Sequence, residues 1–367
     1  VLGNMDHWFL SFLFFVIALI LYFHIQNQYK TSEDLEIYET DYVSNEKLQE
    51  TCSLKQPVLF SLVVSGLTTD HLSQVATQLY IKDIREYYQP DTSSVEPIAL
   101  KTSSAIGLLS TDTRSTYFSE HNELTFDLGN QEDMINELHS LLQPKYTVQT
   151  HVDVLIGSRK AYTPMTYHPY SQRFLLVHGK DINCGIRVKM CPWKNTARLH
   201  VRKDYEHNEF WSTMNMYRGD EDKFRILDFV VNPGYVLFIP SYWWYSIQFL
   251  DTSTCVTAIT YTTAINWLAN IKSTALYFYH QPNLKQKIVD EIIPSLLDTE
   301  EEKEKDKTKE LKETLGRIQD TPSEKEEDTT DSPDNDSQPV VDTPEQNQDI
   351  SLQLISELNP KKSSNNI

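Results

Sequence analysis

Between residues 146 and 265 the chain is cut into short apolar runs separated by turn residues, and this punctuation limits the fold more than any other feature. The runs read as strands at 146–156, 173–178, 184–190, 197–202, 224–231, 235–239, 245–250 and 254–262. Eight short strands at that spacing fit a jelly roll or a sandwich. The clearest stretch is 233–249, PGYVLFIPSYWWYSIQF. Pro233-Gly234 marks a turn, Val236 to Ile239 is a strand closed by Pro240, and Trp243-Trp244-Tyr245 opens the next strand.

Far upstream, Trp8 to Ile25 (WFLSFLFFVIALILYFHI) contains no Lys, Arg, Asp or Glu. Eighteen helical residues rise about 27 Å, close to the ~30 Å hydrocarbon core of a bilayer. Trp8, Tyr22 and Tyr29 sit near the ends, where aromatic side chains gather at membrane interfaces. A core helix would show a polar face, and a cleaved signal peptide would show a basic start and a small-residue cleavage site; the segment has neither. Residues 1–29 therefore read as an uncleaved single-pass transmembrane anchor, meeting the membrane through residues 8–25, with Met5 the expected initiator. Lys30, Lys47 and Lys55 follow it and no Lys or Arg precedes it, which places the C-terminal domain in the cytoplasm.

The formal charge of −19 over 367 residues argues against a nucleic-acid partner, which would need a basic surface. Much of that charge is concentrated: Thr299 to Asp349 holds 18 acidic and 7 basic residues, and large apolar side chains nearly vanish until Ile350. Such a segment cannot bury enough surface to offset its ordering entropy, so 299–367 is expected to be a disordered acidic tail. Residues 31–50 read as a polar stalk, 126–142 and 264–297 as helical, and 30–298 as one domain around a β core at about 146–265. Cys52, Cys184, Cys191 and Cys255 form no CxxC pair and read as buried thiols in a reducing compartment.

Two segments carry a family resemblance. TPMTYHPYSQRFLLVHGK at 163–180 and IPSYWWYSI at 239–247 resemble the T-P-x-H-x-D and IP-x-x-WWH segments of JmjC and cupin-like (cupin_8-type) oxygenases. The resemblance implies a mainly β (α+β) fold, a double-stranded β-helix or jelly roll with flanking helices. The WWYSI form is also similar to that of single-anchor membrane cupin-like proteins of large DNA viruses, which implies a virion or a virus-modified internal membrane.

In the oxygenases two His and one carboxylate bind Fe(II) on one face, leaving room for 2-oxoglutarate and oxygen. A Lys further along pairs with the distal carboxylate of 2-oxoglutarate. Here Thr163 and Pro164 match, but the ligand positions hold Thr166, His168 and Tyr245. The Asn position holds Gln172, and the Lys position falls on Asp181, beside Lys180. Thr and neutral Tyr are poor Fe(II) ligands, one imidazole does not hold a divalent ion, and Asp181 would repel a dicarboxylate. The resemblance thus implies a pocket at Thr163, Thr166, His168, Asp181 and Tyr245, walled by Tyr167, Trp243 and Trp244, with no catalytic residue, metal or cofactor. That is a pseudoenzyme: a membrane-anchored binding or scaffold module with a protein partner.

Two alternatives stay open. A shifted register, with His151, Asp153 and His168 or His178 converging, would make a Fe(II)/2-oxoglutarate-dependent hydroxylase; otherwise His151 and Asp153 read as outward residues of a half-exposed strand. A barrel binding a carbohydrate or other small ligand would use Trp243, Trp244, Tyr167 and Tyr245 as an aromatic wall. His178, His200 and His207 read as surface or satisfied histidines.

Overall fold

The chain passes back and forth between two facing sheets. The computed structural model describes residues 2–62, 72, 78–122, 132–219 and 224–281. The larger sheet has nine strands in the order β1-β2-β12-β7-β14-β6-β5-β3-β4. These are β1 (Tyr38–Glu39), β2 (Val58–Ser61), β3 (Gln78–Asp83), β4 (Ile98–Lys101), β5 (Tyr117–Ser119), β6 (Thr147–Gly157), β7 (Gln172–His178), β12 (Tyr235–Pro240) and β14 (Cys255–Thr263). Opposite lie β11 (Leu227–Val231), β8 (Ile186–Cys191) and β13 (Trp244–Phe249), in that order. Single-residue bridges from Thr166 to Tyr245 and to Trp211 link β13 to a third pair, β9 (Val201–Asp204) and β10 (Glu209–Ser212).

The core fills the space between the sheets. Leu155, Leu175, Val177, Leu237, Ile239, Val256 and Ala258 meet Ile186, Val188, Met190, Ile247 and Phe249. The outer face of the large sheet is covered as well. Phe60, Phe174, Leu176, Val236, Phe238 and Ile259 pack with Leu48 and Cys52 of α2 (Asn45–Cys52), and with Leu138 and Leu142 of a helix at Glu132–Leu142. A sheet buried on both faces explains why β7 and β12 read as continuous apolar runs rather than alternating ones. The mostly-strand jelly-roll expectation holds, with helices α1 (Leu2–Gln28), α3 (Thr102–Thr111), α4 (Glu132–Leu142) and α5 (Ala264–Ala269) around it.

Alternate residues of a strand share a face, so the inner columns can be followed along the barrel. On β6 the column runs from Leu155 to Asp153, His151 and Gln149; on β7 from Leu175 to Arg173; on β14 from Ala258 to Thr260 and Thr262. Thr260 pairs with both His151 and Arg173, and Thr262 with Gln149. The three polar ends therefore lie side by side, and the barrel interior changes from apolar to polar toward one mouth.

Several expectations are corrected. The run at 197–202 begins inside a 3-10 helix, Trp193–Arg198, and β9 starts only at Val201. β3, β4, β5 and β10 were not legible in the sequence. The expected stalk at 31–50 is folded onto the domain: β1 pairs in parallel with β2, and Ser44 caps α2, accepting from the Lys47 amide at 3.3 Å. Residues 264–281 are helical except at Asn270; residues 282–297 and the tail expected at 299–367 lie outside the described residues. All four cysteines are buried and free.

Helix α1 is long and apolar enough from Trp8 to Gln28 to cross a membrane, and it buries nothing against the rest of the chain over that window. Its foot is held. The Tyr29 hydroxyl donates to the Ala269 carbonyl, its ring lies 6.1 Å from that of Tyr242, and Lys55 donates to the Asn27 carbonyl.

Gly185 leads into β8 where two backbones approach closely. A Cβ there would sit 2.4 Å from the Val231 carbonyl oxygen. Gly185→Ala is expected to cost about 1–3 kcal/mol, seen as a lower urea midpoint at unchanged slope. An unchanged midpoint would mean that the two segments separate freely.

Candidate functional site

The polar mouth opens into a cavity of about 510 Å³. Its floor is made by the inner columns of β6, β7 and β14, through His151, Arg173 and Thr262. One side is the segment from Thr166 to Tyr170 with Tyr245 of β13; another is Glu209 and Trp211 of β10. The helical stretch 264–281 closes the rim with Trp267, Tyr277 and Phe278.

Four of the expected site residues line this cavity: Thr166, Tyr167, His168 and Tyr245. Thr166 and Tyr245 are fixed by reciprocal backbone hydrogen bonds of 2.9 and 2.8 Å. The Thr166 hydroxyl is committed as a donor to the Phe210 carbonyl at 2.7 Å. Tyr167 is stacked on Phe210, with centroids 5.1 Å apart, and meets Trp244 edge-on. His168 is 4% exposed, and neither ring nitrogen makes a hydrogen bond of good geometry. Its carbonyl accepts from the Tyr242 amide at 2.9 Å, and Tyr242 adopts a left-handed φ of 62° to reach it. Burial, with the nearby Arg173 charge adding to it, pulls the His168 imidazole down to about 3, so the ring is neutral. Burial also raises Tyr245, which remains a phenol.

The other expected residues sit elsewhere. Asp181 is exposed, because β7 ends at His178 and the chain turns at the end of the strand away from Arg173. Thr163 is a structural pin: its hydroxyl accepts from the Ile247 amide at 3.0 Å and its carbonyl from the Ser246 hydroxyl at 2.6 Å. Trp243 and Trp244 are fully buried and do not line the cavity; their indoles donate to the Lys55 carbonyl and the Thr196 hydroxyl. The shifted register is not assembled either. His151 and His168 line the cavity, but Asp153 and His178 do not. Asp153 points inward, not outward as expected, and accepts from the amides of His121 and Asn122 at 2.9 and 2.7 Å.

On the cavity wall lies a charged cluster that the sequence did not reveal. Glu120, His121 and Glu209 bring their ligand atoms within 4.8 Å of one another, a donor set that could hold a metal ion. Lys82 of β3 already occupies the centre. Its ammonium is 3.1 Å from Glu120, 3.1 Å from His121 Nδ1, and bonded to Glu209. Lys82 is 2% exposed. Burial alone would lower its pKa, but the Glu209 and Glu120 charges outweigh burial and raise it. Burial would likewise raise Glu209, yet Lys82 and His121 hold it well below the usual carboxylate range. Tyr87 adds a hydrogen bond to Glu209 at 3.0 Å. His207, on the same rim, is paired with Asp204 at 2.8 Å, a bond that raises its pKa.

This jelly roll, with its site at the open end, is the setting in which the comparisons fall. The family model of the cupin-like domain matches residues 46–273, more than half of the chain. The chain belongs to the cupin-like family. A curated relative, the HSPB1-associated protein 1 homolog of Danio rerio, is 30% identical over 107 residues, which is 27% of this chain and 23% of the relative. The match thus spans about a quarter of that relative's length.

Within this cupin-like domain the residues present do not fit an iron centre of the oxygenase kind. At the three equivalent positions one hydroxyl is engaged by a carbonyl, one phenol is protonated, and only His168 offers a lone pair suited to a divalent ion. What the mouth does offer is unpartnered polarity. The Arg173 Nε and the Thr262 hydroxyl are buried without a hydrogen bond. Each such group costs about 1–3 kcal/mol when left so.

Proposed function

We propose that this chain is a membrane-anchored cupin-like binding module that works without iron and receives a small ligand in its mouth cavity. The observation that carries the reading is the composition of that mouth. It is a cavity of about 510 Å³ in which a single imidazole stands where an oxygenase needs three metal ligands. A concave site of this size, with aromatic walls and a few convergent polar groups, suits a small molecule better than a protein surface. Of the two non-catalytic readings, the small-ligand barrel is therefore favoured over the protein scaffold. Its aromatic wall is Tyr87, Tyr167, Tyr170, Trp211 and Tyr245 rather than Trp243 and Trp244. Helix α1 supplies the anchor, and the lysines after it favour a domain on the cytoplasmic side. The likeness of WWYSI to viral single-anchor proteins supports an internal, virus-modified membrane as its location.

The test is a melting curve of the full chain in mild detergent with micromolar Mn(II) or Fe(II) and 2-oxoglutarate. No shift is expected. A stabilisation that grows with metal and needs both components would overturn the reading, because only a ligand bound to the native state raises the midpoint in that way.

A further inference from the structure

We propose that the mouth cavity takes an anionic amphiphile, a phosphate or carboxylate head on an apolar chain, with Arg173 holding the head and the 264–281 helical wall receiving the chain. The inference rests on the membrane-anchored, metal-free reading above and names the ligand of that same site.

Arg173 is the first inward residue of β7 and sits on the cavity floor. A guanidinium is always charged and carries five N–H donors. Here one of them reaches the neutral Thr260 hydroxyl at 3.1 Å, and the buried Nε reaches nothing. Burial disfavours the charge, while Tyr245, Asp153 and Glu120 favour it, but the two carboxylates are committed to other donors. Asp153 holds two backbone amides and Glu120 holds Lys82. Among the described residues, no carboxylate forms an ion pair with Arg173. Buried polar groups without partners are rare in native proteins. The Thr262 hydroxyl, equally unpartnered, faces the same space. A planar fork with free donors is matched best by a bidentate oxyanion, and the Thr262 hydroxyl lines the same cavity.

The rim gives the rest of the ligand. Trp267 and Phe278 line the cavity yet are 43% and 65% exposed, and Ile271 and Tyr279 of the same stretch are 49% and 74% exposed. A run of half-bare aromatics and aliphatics suits the interfacial zone of a bilayer better than bulk water. The same stretch begins at α5, where Ala269 accepts from Tyr29 at the foot of α1. The apolar wall of the cavity is thus the wall joined to the helix that could cross a membrane. A free oxyanion would use Arg173 but leave this wall uncovered; an amphiphile uses both.

The experiment places the full chain in neutral phosphatidylcholine vesicles and titrates 12-bromododecyl phosphate, reading the quenching of tryptophan fluorescence from Trp211 and Trp267. Saturable quenching is expected, weakened about 10- to 100-fold in Arg173→Met and less in Arg173→Lys, which keeps the charge but loses the fork. Melting curves of both variants establish that they are folded. Equal binding by wild type and Arg173→Met, or equal binding of 12-bromododecanol, would overturn the proposal. Displacement by inorganic phosphate at the same free concentration would assign the site to a soluble anion and overturn the amphiphile. 2-Oxoglutarate is expected not to compete. If it competes only when Fe(II) or Mn(II) is added, the metal-free reading falls, whereas loss of the Arg173 dependence alone overturns the ligand and leaves that reading standing.

Discussion

Replacing Lys82 by methionine is expected to remove about 3–5 kcal/mol of stability, the typical cost of breaking a buried ion pair from one side. For a domain of this size that corresponds to a fall in melting temperature of about 10 °C. The methionine fills the space of the lysine stem, so the loss comes from Glu120 and Glu209, left facing each other with only His121 for relief. The same vacancy suggests its own remedy. With the ammonium gone, Glu120, His121 and Glu209 present ligand atoms within 4.8 Å of one another, and millimolar Mn(II) or Zn(II) should restore part of the melting temperature in the variant and none in the wild type. The sign of the pH dependence follows from Glu209. Its folded pKa is held below the unfolded value, so its contribution is present above about pH 4.3 and lost as pH falls further. The gap between wild type and Lys82→Met should therefore narrow in acid. A variant that melts within two degrees of wild type would show that Lys82 is not the keystone of the cluster.

His168→Asn is expected to flatten the acid limb of the stability curve. The imidazole is neutral and buried in the folded chain, pulled down to about 3, whereas in the unfolded chain it takes a proton near its ordinary value of about 6.5. Its contribution is present above pH 6.5 and is lost as pH falls toward 3. A shift of that size is worth on the order of 4–5 kcal/mol. His178, pulled down to about 4 by burial, acts in the same direction in both proteins. His121 and His207 have raised values and oppose it, adding stability below pH 6.5. The difference between wild type and variant isolates His168. Urea midpoints at pH 7.5 and pH 4 should drop much less in His168→Asn, and parallel drops would mean that the ring is solvated.

The strands that enclose the core were legible because both faces of the large sheet are buried, which leaves continuous apolar runs at β7 and β12 and β-branched alternation at β6 and β14. β3 and β10 were hidden for the opposite reason. They carry Lys82 and Glu209 inward, so the apolar signal breaks where the charged cluster forms. Arg173 could have been found. Extending the alternation of Leu175 and Val177 back by two residues places it in the barrel, beside the Thr260 of β14. Asp181 was misplaced because an ungapped count through 163–181 ignores the end of β7 at His178. Trp243 and Trp244 looked like a wall because three aromatics in a row suggest a surface, yet each ring is buried and each indole found an acceptor.

The sixteen residues between the end of α1 and the start of α2 do not form a leash. Ser32 donates to the Lys55 carbonyl, Tyr38 to Pro57 and Thr40 to Leu59, at 3.3, 2.9 and 3.1 Å. A slack linker of about twenty residues would let a domain wander over about 25 Å. One stitched down at three points, with Tyr29 clasped as well, keeps the barrel at a set height and tilt relative to α1. The ligand proposed above would therefore have to come to the mouth, since the domain cannot reach out to search.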